Sequence, residues 1–213
     1  MIKSLVILFC SMTLYACHEQ RIVTTWKVPQ PGWRQYDKIM VAGAFNDWDD
    51  SVRVQAEDLF VKAIEGLSYR AVPAYKEFGL KGPEDLDQAE IYFKLYKNGI
   101  DAVMVIALID STKLTFQKPG DMYVYPAGYY FNRIWNYKNI ITSPGDDSTG
   151  NDKGRFWEII LFDLSTLEAT CVMQTSSFTS NINGAVIEDL ASQVIRKLHK
   201  EKVLTKGRYL KPF

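Results

Sequence analysis

The chain has 213 residues, a length that fits one domain or at most two small ones. Apolar residues make up 47% and charged residues 23% of the chain, values that are ordinary for globular proteins and exclude an extensively disordered chain. The 25 Lys and Arg residues balance 25 Asp and Glu residues, so no net positive charge is available to attract nucleic acid. We therefore expect a globular protein without a nucleic-acid partner.

Residues 1–16 have the features of a bacterial signal peptide that ends directly before a cysteine. Lys3 gives a positively charged start, and the apolar run that follows is shorter than the about 20 residues that a membrane-spanning helix needs. Residues 14–17, Leu-Tyr-Ala-Cys, resemble the lipobox of bacterial lipoproteins, in which the cysteine is acylated after cleavage. The alternative is a plain signal peptide followed by a chance cysteine. The pattern predicts lipidation at Cys17, with residues 17–35 as a lipidated tether that joins the domain to the membrane through acyl chains.

The residue after the lipobox cysteine bears on localisation. In enteric bacteria an Asp at this position retains lipoproteins at the inner membrane, and this chain has His18 there. By this resemblance we predict a protein anchored to the outer membrane, on its periplasmic face. The surface-exposed face stays open as an alternative.

The cysteines and histidines are too few for the usual disulfide, zinc and nucleophilic sites. Cys10 leaves with the signal peptide and Cys17 is acylated, so Cys171 remains alone, in an apolar run that predicts burial. His18 adjoins the anchor, and His199 lies near the end of a predicted helix rather than in a cleft. We therefore predict no catalytic residue of this kind, no metal and no cofactor.

Residues 36–213 are predicted to form a single α/β domain. Apolar periodicity gives the order β-α-β-α-β-β-β-α, which corresponds to a mixed β-sheet packed with about three helices. The predicted strands are 37–43, 69–74, 100–109 with a continuation at 112–116, 156–164 and 167–175, and the predicted helices span 52–67, 82–98 and 183–198.

The order of these parts resembles a family of uncharacterised bacterial outer-membrane lipoproteins. The matching parts are the lipobox, a helix with Arg53 and Glu57 after the first strand, and Gly-Ile-Asp-Ala-Val at 99–103 opening the central strand. A tyrosine-rich segment, a hairpin and a C-terminal helix complete the order. That family is similar in fold to the periplasmic domains of the curli-secretion lipoprotein and of the lipoprotein activators of penicillin-binding proteins. The resemblance implies a binding or assembly role without catalytic residues.

Three charged residues are candidates for a site. On a helical wheel Arg53 falls inside the apolar stripe of its helix, and Glu57 lies four residues later at the border of that stripe. Asp101 opens the central strand, where it could cap a helix or pair with Arg53. These residues form a structural ion pair, or Arg53 binds carbonyl groups at chain ends; alternatively, they form an anion-binding site.

The segment 123–137 is the predicted interaction surface, because it holds seven aromatic residues in 15 positions without a helical period. The alternative is that these rings pack over the edge of the sheet. They are Tyr123, Tyr125, Tyr129, Tyr130, Phe131, Trp135 and Tyr137.

These observations favour a lipid-anchored envelope protein with a non-catalytic binding or assembly role on proteins or cell-wall components. Self-association into a homo-oligomer is left open. The alternative function is a carboxylate-dependent envelope hydrolase that acts on glycan, which would need two carboxylates about 5–10 Å apart in a cleft. Glu57, Asp101 and Glu158 are the carboxylates to examine for such a pair.

Overall fold

The computed structural model describes ten elements of secondary structure in one α/β domain. The described residues are 21–28, 35–45, 50–80, 82–83, 86–110, 154–176, 178 and 181–205. The signal peptide, Cys17 and the aromatic segment 123–137 lie outside them, so those predictions remain predictions.

The strands and helices follow the predicted order closely, with one strand and one short helix added. The strands are β1 (Ile22–Lys27), β2 (Lys38–Ala44), β3 (Arg70–Pro73), β4 (Ala102–Asp110), β5 (Arg155–Asp163) and β6 (Glu168–Thr175). The helices are α1 (Asp50–Glu65), α2 (Ala74–Phe78), α3 (Gln88–Lys97) and α4 (Gly184–Lys200). The fold class is therefore confirmed, with four helices in place of about three.

The strands form one mixed sheet in the order β1-β6-β5-β4-β2-β3. The βαβ units on one side make β2 parallel to both β3 and β4. On the other side, β4, β5, β6 and β1 pair antiparallel in succession, and β5 and β6 form the predicted hairpin. The central strand β4 is buried on both faces, as its continuous apolar sequence predicts.

Helices cover both faces of the sheet, which gives three layers. On one face, α1 and α4 pack against the sheet through apolar side chains that include Phe60 and Leu190. On the other face, Ile91 and Leu95 of α3 pack against Val103 and Val105 of β4. Each buried Leu, Ile or Phe side chain contributes about 1.5–3 kcal/mol to folding, so these two apolar clusters stabilise the arrangement. No helix among the described residues is both long and apolar enough to cross a bilayer.

Two local predictions are corrected by the structure. Residues 22–27, assigned to the tether, form the edge strand β1, because their β-branched and aromatic side chains can pair with β6 from about 150 positions further along the chain. The predicted helix 82–98 begins only at Gln88. Asp87 and Glu90 form a capping box there, in which each side chain accepts from the other's backbone amide.

Candidate functional site

Glu57 is a buried carboxylate that links three elements of the fold. It lies on α1 and is only 1% exposed. The amide of Gly43 in β2 donates to its Oε1 atom at 2.9 Å, and the amide of Tyr75 in α2 donates to its Oε2 atom at 3.0 Å. Both oxygens therefore satisfy backbone donors that would otherwise be left without an acceptor at this position.

The charge of Glu57 is held in an environment that disfavours it. Burial raises the pKa of the Glu57 carboxyl above its ordinary value, while the amides of Gly43 and Tyr75 and the charge of Arg53 oppose that rise. The direction of the pKa shift shows that desolvation outweighs the donors.

Arg53 binds a different acid from the one that the helical spacing predicts. Its Nη2 atom lies 3.1 Å from Oδ1 of Asp50 and also donates to the carbonyl oxygen of Leu80, whereas Glu57 is occupied by amides. Side chains on a helix lean towards its N-terminus, so the guanidinium reaches back towards Asp50, three residues earlier, and away from Glu57. The predicted Arg53–Glu57 ion pair is thus replaced by an Arg53–Asp50 pair.

The Nε atom of Arg53 is buried and has no hydrogen-bond partner among the residues that the structure describes. The guanidinium side chain is 18% exposed and Asp50 is 62% exposed, so this ion pair lies at the surface. A surface ion pair of this kind contributes only about 0–1 kcal/mol to stability. The contacts of Arg53 are therefore those of a side chain that joins α1 to the segment after α2.

Asp101 makes a second bridge, at the other end of β2. Its Oδ2 atom accepts from the amide of Asp37 at 2.7 Å, and its Oδ1 atom accepts from the amide of Lys38 at 3.1 Å. Burial raises the pKa of the Asp101 carboxyl, and the same two amides oppose the rise. The sequence suggested that Asp101 caps a helix or pairs with Arg53. In the structure its side chain instead fixes the start of β2 against the start of β4.

The three carboxylates named for a hydrolytic pair do not share one cleft. Glu57 and Asp101 bind amides five residues apart on β2, a separation of about 16 Å along an extended strand. Glu158 is two residues from both Phe156 and Ile160 on β5, so it lies with them on the face of the sheet opposite to α1. It is buried there and accepts from Nε2 of Gln174 at 2.7 Å. Glu57 and Asp101 are therefore too far apart for a glycosidase pair, which needs roughly 5–10 Å, and the sheet separates Glu57 from Glu158.

Cys171 is buried at 1% exposure in the apolar cluster under α4, as its apolar neighbours predict. Burial raises the pKa of the Cys171 thiol to about 12. A thiol with such a pKa stays protonated near neutral pH, so Cys171 acts here as a small apolar side chain.

The outer face of α3 carries an aromatic cluster that the sequence analysis did not single out. Tyr92, Phe93 and Tyr96 are 37%, 65% and 71% exposed, and the rings of Tyr92 and Tyr96 stack with centroids 6.5 Å apart. The signal was present in the sequence, because these rings alternate at helical spacing with the buried Ile91 and Leu95. We call these three residues the α3 aromatic cluster.

No family model and no curated protein matches the chain. Among solved structures, a dodecamer of a PelC variant from Paraburkholderia phytofirmans is similar with a TM-score of 0.41 and 12% identity, over 87% of this chain and 99% of that one. A second PelC dodecamer from the same organism gives 0.38 and 13%, over 81% and 96% of the two chains. Lipoprotein GNA1162 from Neisseria meningitidis gives 0.33 and 13%, over 76% and 98%. The function is therefore proposed from this chain's own residues.

Proposed function

We propose that the chain is a lipid-anchored protein of the bacterial outer membrane that binds or assembles with envelope proteins or cell-wall components and catalyses no reaction. The anchor is proposed from the lipobox at residues 14–17, which places the acyl chains on Cys17. The outer membrane is proposed because His18, and not Asp, follows Cys17, and its periplasmic face is the proposed location of the domain.

The observation that carries the binding role is the α3 aromatic cluster. Exposed Phe and Tyr side chains are unfavourable in water, and aromatic residues are enriched where proteins contact partners. Phe93 and Tyr96 expose about two thirds of their surface while the apolar residues beside them, Ile91 and Leu95, are almost fully buried. Folding alone therefore gives no reason for these rings to point outward.

The carboxylate geometry supports a non-catalytic role. Glu57 and Asp101 each accept two backbone amides, and Glu158 accepts from Gln174 on the other face of the sheet. Each of these acids already has a structural function, and Glu57 and Asp101 are too far apart for a glycosidase mechanism.

The anchor is tested by labelling cells with radioactive palmitate. We expect the parent protein to be labelled, and the Cys17→Ser variant to remain uncut and unlabelled. Label on the Cys17→Ser variant would overturn the assignment of the anchor.

The binding surface is tested by photocrosslinking in intact envelopes. A photoreactive phenylalanine analogue replaces Phe93, and the same analogue replaces Lys62, which is exposed on α1 at the opposite face of the sheet. We expect a discrete crosslinked protein, or attachment to sedimented cell wall, from position 93 only. Equal crosslinking from both positions, or none from position 93, would remove the support for this surface.

A further inference from the structure

A basic groove lies between the start of β1 and the second half of α4. It has a volume of about 500 Å³, and its charged lining consists of Arg21, Arg196, Lys197 and Lys200 with Asp189 as the single acid. The three α4 cations are separated by one, three and four positions, so they lie along one side of the helix. A chain without net charge thus gathers several cations at one place.

Most of these cations are available to a ligand. Lys197 pairs with Glu201 at 3.0 Å, and Asp189 accepts from Gln193 at 2.7 Å. Arg21, Arg196 and Lys200 are exposed, and no ion pair holds their side chains within the part of the chain that the structure describes. Guanidinium groups bind phosphate oxygens in a bidentate manner, whereas lysines act as point charges.

The groove begins only a few residues along the chain from the proposed anchor. Arg21 follows Cys17 by four residues, which span at most about 14 Å even when fully extended. At the far end of β1, Lys27 is bound to Glu201 just beyond α4, so strand and helix lie side by side and Arg21 marks the end of the groove nearest the lipid. Acyl chains on Cys17 would therefore hold Arg21, at one end of the groove, within about two Debye lengths of the bilayer surface.

We propose that this groove binds the phosphate groups of anionic phospholipid headgroups in the membrane to which the protein is anchored. This inference rests on the proposed lipidation of Cys17. Binding fixes the orientation of the domain: the α1/α4 layer lies towards the bilayer, and α3, on the other face of the sheet, faces away with its aromatic cluster. A tether alone leaves that orientation undetermined.

The test uses the lipidated protein reconstituted in vesicles of phosphatidylcholine alone, or of phosphatidylcholine with about one third phosphatidylglycerol. The rate at which a water-soluble reagent acetylates Lys200 is measured by mass spectrometry of peptides, with exposed Lys76 beside α3 as the internal reference. We expect Lys200 to react at least about threefold more slowly in the anionic vesicles, and Lys76 to react equally in both.

Matched variants assign the effect to the groove. Arg21→Gln with Arg196→Gln removes two groove charges and should abolish the protection of Lys200. Lys62→Gln with Lys97→Gln removes the same charge outside the groove and should preserve it. Equal Lys200 rates in the two vesicles, or equal effects of the two double variants, would overturn the inference.

Two further measurements distinguish lipid phosphate from free phosphate, and the proposed anchor from the proposed groove. Protection of Lys200 by millimolar inorganic phosphate in phosphatidylcholine vesicles, equal to that in anionic vesicles, would identify a free-anion site and overturn the lipid assignment. The mass of the Cys17 peptide reports acylation separately. A peptide without acyl mass contradicts the anchor, whereas an acylated protein with unprotected Lys200 contradicts only the groove.

Discussion

The two ends of β2 are held by the same device in two different environments. At one end the carboxylate of Glu57 accepts the amides of Gly43 and Tyr75, and at the other end Asp101 accepts the amides of Asp37 and Lys38. Glu57 is almost completely buried, whereas the amide of Asp37 that Asp101 binds is exposed. Water can replace Asp101 as the acceptor for the Asp37 amide, whereas it has little access to the buried carboxylate of Glu57.

Glu57 and Asp101 each accept two backbone amides, but because of this difference the two pairs of hydrogen bonds contribute differently to the free energy of unfolding. A buried donor that loses its acceptor bears the full desolvation penalty, about 1–3 kcal/mol for each group, while an exposed donor exchanges one partner for water. We therefore expect the two carboxylates to differ most clearly when each is removed.

Replacing Glu57 has the largest expected effect. Glu57→Leu leaves the half-buried amides of Gly43 and Tyr75 without their acceptor, so we expect the free energy of unfolding to fall by about 2–4 kcal/mol. Urea denaturation measures this loss. Glu57→Gln keeps an acceptor oxygen and should lose less, and a Gln variant as unstable as the Leu variant would contradict the hydrogen-bond explanation.

Gly43→Ala tests the packing beside the buried carboxylate. A Cβ atom at this position would lie 2.8 Å from Cγ of Arg53, so the arginine must move, and we expect a loss of about 2 kcal/mol. In an Arg53→Ala background the same substitution should cost clearly less, because the obstructing Cγ is gone and only Cε2 of Phe45, 3.3 Å from the added Cβ, stays close. Additive losses in the double variant would show that the two residues do not interfere.

Asp101→Ala has a smaller expected effect. The amides of Asp37 and Lys38 gain access to water, so we expect the free energy of unfolding to fall by about 1 kcal/mol. Thermal and urea denaturation under the conditions used for Glu57→Leu give the comparison. A loss equal to that of Glu57→Leu would contradict the role assigned to burial.

The pH dependence of stability has the smallest expected effect, and we expect Glu57 to contribute more to it than Asp101. Because burial raises the pKa of both carboxyls in the folded state, the folded protein binds protons more readily than the unfolded chain. Their contribution to the free energy of unfolding therefore falls as pH rises from the ordinary values of 4.5 and 3.8 through the raised pKa values. Glu57→Gln should flatten this slope in urea titrations at several pH values, and Asp101→Asn should flatten it less.

The fold was largely accessible from the sequence because its strongest signals are local. The apolar run of β4 and the apolar periodicity of α1 and α4 place those elements within a few residues of their observed bounds. β1 was missed because its stability comes from pairing with β6, at a sequence distance that no local pattern records.

The site residues were identified, but their partners were not. The helical wheel places Arg53 inside the apolar stripe, but it does not show whether a side chain leans towards the N-terminus or the C-terminus of the helix. It therefore does not identify Asp50 as the partner of Arg53. The partners of Asp101 depend on the parallel register of β2 and β4, which brings Asp37 and Lys38 beside it from 64 and 63 positions away. The α3 aromatic cluster gives the weaker signal in the sequence, because it has three rings on one helix against seven in segment 123–137.

The two outermost strands of the sheet restrict how copies of the protein can associate. At one margin β3 has only four residues and ends at Pro73, which has no amide hydrogen to donate. At the other margin the pairing of β1 shifts between Ile22 and Thr24, so Val23 interrupts the regular row of backbone groups. In the described part of the chain, growth of the sheet from one molecule into the next is disfavoured at both margins, which favours assembly through side chains on the helical layers.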